Sequence, residues 1–164
     1  MQNLLNNLEE ASRIIKSVDH MLYVTYPLIK EPKLFIKLLE QTHKATKKII
    51  SSILEYEYLF RRVTLFNDIQ RNFKNFQEKC APRYNITEQE LTKLKELFQL
   101  IEHHTQATTE FKRKERYIIL VNGSQTIQIT LEKTKDFLYL ARKLLKVAQD
   151  TIYDTSAENY KKPV

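Results

Sequence analysis

A chain of 164 residues with 42% hydrophobic and 29% charged side chains can bury one real core and is too apolar for global disorder. Its longest apolar run, residues 21–29, covers about nine positions and is interrupted by Thr25 and Pro27, far too short to cross a bilayer. The net charge of +7, with a pI of about 9.4, suits attraction to nucleic acid or an anionic surface, yet the excess is spread along the chain, as a Lys-rich proteome alone would give.

One glycine and four prolines leave few tight turns, so helices must dominate. The chain opens Met-Gln-Asn with no basic segment ahead of an apolar core, which predicts no secretory signal. Cys80 stands alone, so no intrachain disulfide forms and a cytoplasmic setting is expected.

In chain order, Leu4, Leu8, Ala11, Ile15, Val18 and Leu22 keep the alternating 4–3 spacing of a helix seam over residues 2–22. Pro27 should push Tyr26 toward an extended conformation and break the chain at 23–27. Residues 32–62 then predict one long helix, roughly 45 Å at 1.5 Å per residue, with Pro32 in its first turn. Its stripe runs through Phe35, Leu38, Thr42, Ala45, Ile49, Ser52, Tyr56 and Leu59, with Leu39, Thr46, Ile53 and Phe60 beside it. The stripe is small at its middle, so a partner helix can approach closely there. A third helix is expected at about 68–79, with Ile69, Phe73, Phe76 and Cys80 on one face, ended by Pro82.

Thr87-Glu88-Gln89-Glu90 has the form of a capping box and opens a fourth helix, whose buried face carries Leu91, Leu94, Phe98 and Ile101, with Leu97 and Leu100 alongside. The period then changes. The runs at 117–121 and 126–130 flank Asn122-Gly123, the strongest short hairpin signal, because a type I′ turn needs positive φ at both central residues. In that register Ile118 faces Ile127 and Leu120 faces Gln125, and the face bearing Ile118, Leu120, Ile127 and Ile129 lies on the helices. A last helix follows at about 131–153, with Leu138, Ala141, Leu145, Ala148 and Ile152 in register, and 154–164 reads as a flexible tail. The expected fold is therefore mainly α: a single five-helix bundle, residues 1–153, around the helix at about 32–62, with a small β-hairpin at about 117–130 before the last helix.

Chemistry is sparser. Glu40-Gln41-Thr42-His43 matches the Glu-x-x-His of di-iron bundles, but no second such pair exists, so no metal and no cofactor are expected. Gly-rich phosphate loops, Cys-x-x-Cys pairs and nucleophile elbows are absent from the sequence. Lys112, Arg113, Lys114 and Arg116, flanked by Phe111 and Tyr117, put cations beside stacking rings, a mixture that suits single-stranded nucleic acid. The competing reading of this stretch is a solvated connector whose rings turn inward.

Two resemblances add to these residues. Arg13 and His20, six residues apart, fit the R-x4–6-H pattern and so resemble HEPN ribonucleases, whose His and Arg serve RNA cleavage. The pattern departs from that family in lying on the first helix and in having Ile14 where a polar residue commonly follows the Arg. Residues 19–27, 79–84 and 111–114 resemble stretches of small uncharacterised archaeal proteins of similar length, which implies a cytoplasmic setting and no particular activity. The functional expectation is a non-enzymatic helical binding module for a protein or ribonucleoprotein partner, with the HEPN-like ribonuclease using Arg13 and His20 as the alternative. A nucleic-acid strand or a second copy of the chain, as a homodimer, are further candidate partners, and no membrane is expected.

Overall fold

The computed structural model describes residues 1–107, 109–123 and 125–160, the last six of them by backbone alone. Helix α1, Gln2–His20, buries Leu4, Leu8, Ala11, Ile15 and Val18, the expected seam. The break expected at 23–27 does not occur. The rod widens into a π-helical stretch, Met21–Thr25, and resumes as α2, Tyr26–Ile29. Pro27 falls in the first turn of α2, where its missing N–H forfeits little, and Tyr26 stays helical at φ −57°, ψ −43°. The rod ends at Lys30, whose left-handed backbone (φ 47°) lets its N–H donate to the Tyr26 carbonyl at 2.8 Å.

Helix α3, Lys33–Leu59, starts behind Pro32 and is buried along the whole predicted stripe from Phe35 to Tyr56. It packs against α1, and also against four elements taken up below: two later helices, a later π-helical stretch and the middle strand of a sheet. Its buried hydroxyls are satisfied locally, since Thr42 donates to the Leu38 carbonyl at 2.8 Å and Thr46 to that of His43 at 2.9 Å. The Ser52 hydroxyl lies 2.9 Å from the Lys48 carbonyl and 3.0 Å from the Leu4 carbonyl, so it also bridges to α1. The stripe stops a turn earlier than its spacing suggests, because Leu59 and Phe60 are 47% and 38% exposed. At Arg61 (φ 58°) the chain reverses. Arg61 N–H donates to Tyr58 and Arg62 N–H to Glu57, a Schellman closure that carries this end out of the core.

Asp68 caps helix α4, Ile69–Asn75, accepting from the N–H groups of Gln70 and Arg71. A second π-helical stretch, Phe76–Cys80, follows and buries Phe76 and Cys80. Ile69 does not join that face but is 85% exposed. Asn72 and Asn75 are bonded to Phe66 and Thr64 of the preceding connector, which holds the later turn of α4 inward and leaves its first residue outside the core. The turn after Cys80 is fastened by a buried carboxylate. Tyr84 donates to Glu57 Oε1 at 3.1 Å, Arg62 donates to the same oxygen at 3.3 Å, and Arg83 lies 3.6 Å from Oε2. Burial, and then the Glu57 charge, push the Cys80 thiol up to about 12 and the Tyr84 phenol above its ordinary range, so both stay neutral.

Helix α5, Glu88–Gln106, opens with the capping box as read: Glu90 N–H donates to Thr87 Oγ1 at 3.2 Å and Thr87 N–H to Glu90 Oε2 at 2.9 Å. The sheet that follows has three antiparallel strands, β1 (Glu110–Arg113), β2 (Arg116–Val121) and β3 (Gln125–Ile129), in that order. The expected hairpin is thus β2–β3, and β1 extends it. Its register differs by one from the expectation: Ile119 pairs with Ile127 and Tyr117 with Ile129. Asn122 (φ 49°) and Gly123 (φ 73°) both take positive φ, but the connection runs from Val121 to Gln125, three residues instead of two. One added residue swaps the faces of a strand, so Tyr117, Ile119, Ile127 and Ile129 share the side that meets the helices. Helix α6, Leu131–Tyr160, continues past the expected end at about 153, and residues 161–164 of the expected tail lie outside the described residues. The mainly helical bundle with a small sheet before its last helix is as expected, and the two partners of α3 left open above are α5 and α6.

Two substitutions test this packing. Ala45 is fully buried in the small-residue face of α3, so Ala45→Leu should cost about 1–3 kcal/mol by overpacking, read from a denaturant melt. A neutral melt would contradict the burial, since Leu is nearly as good a helix former as Ala. Gly123→Val should cost about 1 kcal/mol or more through strain at positive φ alone, because a Cβ there meets no neighbouring atom.

Candidate nucleic-acid interface

Alternation along the strands divides the basic stretch between two faces. Phe111 and Arg113 of β1, Arg116 and Ile118 of β2, and Thr126 and Gln128 of β3 share the side away from the helices. The register sets Phe111, Ile118 and Gln128 on one rung and Arg113 directly opposite Arg116. Lys114, at φ 56°, forms the tight turn between β1 and β2 and reaches the same side. Together they line a cleft of about 350 Å³. Ile118, 4% exposed, is its floor, and Phe111, 44% exposed, stands at its edge. Arg116 donates to Gln128 Oε1 at 2.7 Å.

Among the described residues, Arg113, Lys114 and Arg116 meet no carboxylate at ion-pair distance. Arg113 and Arg116 are like charges directly across a ladder, an arrangement that costs stability unless an anion offsets it. Cations uncompensated by the protein, beside an exposed ring on a firm floor, can hold phosphates and stack a base.

Lys112 and Tyr117 turn the other way. Lys112 pairs with Glu31 at 3.2 Å; the Lys33 N–H, and then Lys112, hold that carboxyl below its ordinary range. Tyr117 is 6% exposed and donates to Glu110 Oε2 at 2.8 Å; burial, and then this bond, push its phenol up to about 12. Glu110 Oε1 in turn meets His104 Nδ1, and His104 Nε2 lies 3.0 Å from Glu40 Oε1. This chain of side chains fastens the sheet to α3 and α5. Nothing local in the sequence announces it, because Glu40 and His104 are 64 residues apart. Thr126, Gln128 and Ile118 were also missed as members of the site, and only knowledge of the true register could have found them.

The structure therefore brings together Phe111, Arg113, Lys114 and Arg116 and separates Lys112 and Tyr117 from them. Arg13 lies on the exposed side of α1, paired with Glu9 at 2.5 Å, and His20, also exposed, sits about two turns further along. Neither lines a cleft with the basic stretch. Glu40 meets His104 and not His43, whose ring packs edge-on against Phe98 at 5.0 Å between centroids. Among the described residues no group of His, Cys, Asp and Glu side chains is arranged to hold a metal ion, and no helix is long and apolar enough to cross a membrane. No protein-family model, no curated protein and no solved structure matches this chain.

Burial, helped by Lys47, pulls the His43 imidazole down to about 4 from its ordinary 6.5. Between those values the unfolded chain binds more protons than the folded one, so stability rises with pH across that window. Acidification from pH 6.5 to pH 4 should therefore lower the melting temperature, and His43→Phe should flatten that part of the profile. A profile unchanged by the substitution would contradict the assignment.

Proposed function

We propose that the chain is a non-enzymatic binding module for a ribonucleoprotein partner, engaging single-stranded nucleic acid through the outer face of its sheet. The observation that carries this reading is the combination of an exposed Phe111 with three cations that the protein leaves unneutralised, on a sheet whose other face is tied to the helices. Each part has a physical task. Arg113, Lys114 and Arg116 track the phosphates, Phe111 stacks on one base, and Ile118 supplies an apolar floor under it. Gln128, already oriented by Arg116, offers an amide to a base edge or ribose. A duplex would present its phosphates outward and keep its bases stacked, so Phe111 would gain nothing from it.

Fluorescence anisotropy with ten-nucleotide single-stranded RNA and DNA, and with a duplex of equal length, tests the reading. Single strands should bind and the duplex should bind more weakly, and the RNA and DNA arms separate a ribose requirement from a shared mode. Phe111→Ala should cost about 1–3 kcal/mol of binding. Arg113→Ala should lower the slope of log K against log salt by about 0.7, the share of one phosphate contact on a single strand. No binding by the wild type at low salt, with retention of a protein partner on pull-down from nuclease-treated lysate, would replace this reading with a protein interface.

A further inference from the structure

Arg116 lines a second cleft as well as the first. It lies between the end of the first helical rod and the start of α6, with a volume of about 390 Å³, within the range of small-ligand sites. Tyr23 forms one side and is 48% exposed. The Lys135 ammonium sits 5.4 Å and the Arg142 guanidinium 5.8 Å from its ring centroid. Lys30 stands at the end of α2, and Glu115 and Glu132 also face the opening. Among the described residues, Lys30 and Lys135 are in no ion pair.

Three features distinguish this cleft from an ordinary surface depression. A half-exposed aromatic ring has the unpaired Lys135 beside it, with Arg142, itself paired with Asp19, behind. The cleft adjoins the sheet face, because Arg116 lines both. Its two carboxylates would repel phosphate, so they suit a ligand that presents a donor to them. A nucleotide strand has all three complements: a base to stack, phosphates for the cations, and amino groups on some bases.

We infer that a strand bound on the sheet continues past Arg116 into this cleft, where a base bearing an exocyclic amino group stacks on Tyr23. The inference rests on the proposed reading of the sheet face. Lys30 and Lys135 hold the flanking phosphates, and Glu115 or Glu132 accepts from the amino group of the base. Cytosine and adenine present such a donor where uracil and thymine present a carbonyl oxygen. The cleft therefore lengthens the site and gives it a base preference that the sheet face, with its sequence-tolerant stacking, lacks.

The test compares cytidine and uridine oligonucleotides of four and ten nucleotides by fluorescence anisotropy at one salt concentration. The ten-nucleotide cytidine strand should bind about tenfold or more tighter than the four-nucleotide one, and tighter than the uridine strand of equal length. Tyr23→Ala should reduce the ten-to-four ratio about fivefold or more, while Tyr23→Phe retains it. Glu115→Gln combined with Glu132→Gln should erase the preference for cytidine. Should Tyr23→Ala prove unstable in a thermal melt, Lys30→Glu at an exposed position carries the same comparison. An unchanged ratio in Tyr23→Ala or Lys30→Glu overturns the extension and leaves the sheet face standing. Absence of binding by either length overturns the sheet reading, and the extension with it.

Discussion

Burial of α3 along its whole apolar stripe is the constraint on which the other elements depend. A helix so enclosed can be approached closely only where its side chains are small, and Thr42, Ala45, Thr46 and Ser52 supply that stretch. Their hydroxyls bond to carbonyls within the helix, so no polar group is left stranded by the approach, and Ser52 extends the same economy to the Leu4 carbonyl of α1. Beyond the small stretch, each end of α3 offers a carboxylate to a different partner. Glu40 reaches His104 and through it the sheet, and Glu57 takes Tyr84, Arg62 and Arg83 at the other end. Glu57 is buried, and removing one partner of a buried charge is expensive, so its ties fix where the turn at 81–85 sits, while the more exposed Glu40 adds a weaker link to the sheet.

The two faces of the sheet then divide the labour. One face is held by apolar burial at Ile119 and Ile129 and by the Glu40–His104–Glu110–Tyr117 chain, which joins α3, α5, β1 and β2. A short sheet of this kind is barely stable alone, so the anchoring is what makes it a usable platform. The opposite face keeps Arg113 across from Arg116 with no carboxylate between them. In a purely structural sheet a neutral pair would be the less costly choice at that rung. On the reading proposed above, an anionic ligand would offset that repulsion, and the exposed ring of Phe111 would favour a strand with bases over a bare phosphate.

Much of the helical framework was legible from the residues. The α3 stripe, the seam of α1 and the Thr87–Glu90 box are local patterns, and local patterns survive folding unless something outside them intervenes. Where the reading missed, a longer-range cause is identifiable. Pro27 did not break the rod because the π-helical stretch before it shifted the hydrogen-bond frame. Leu59 and Phe60 have the right spacing but sit just before the chain reversal at Arg61, and Ile69 opens α4 beside its Asp68 cap, outside the core. The strand β1 was hidden because its turn uses Lys114 at positive φ, a conformation that composition signals only through Gly, Asn or Asp. The register slipped because loop length, three residues in place of two, is not encoded by the Asn-Gly pair alone. At the candidate site the residue types were legible as a cluster, but their sorting into an outer and an inner face depends on that same register. The Glu57 and Glu40 contacts, spanning 27 and 64 positions, have no local signature at all.

The central proposal is that nucleic acid lies along the outer face of the sheet and the cleft at Tyr23 beside it, and on no other part of the molecule. Ultraviolet crosslinking of the full chain to a single-stranded oligonucleotide, followed by mass spectrometry of the crosslinked peptides, tests it most directly. The account predicts adducts on the peptides that carry Phe111 and Tyr23, and none on the exposed sides of α1 or α5. Adducts confined to helix surfaces near Arg13 and His20, or no adduct above a protein control that binds no nucleic acid, would contradict it.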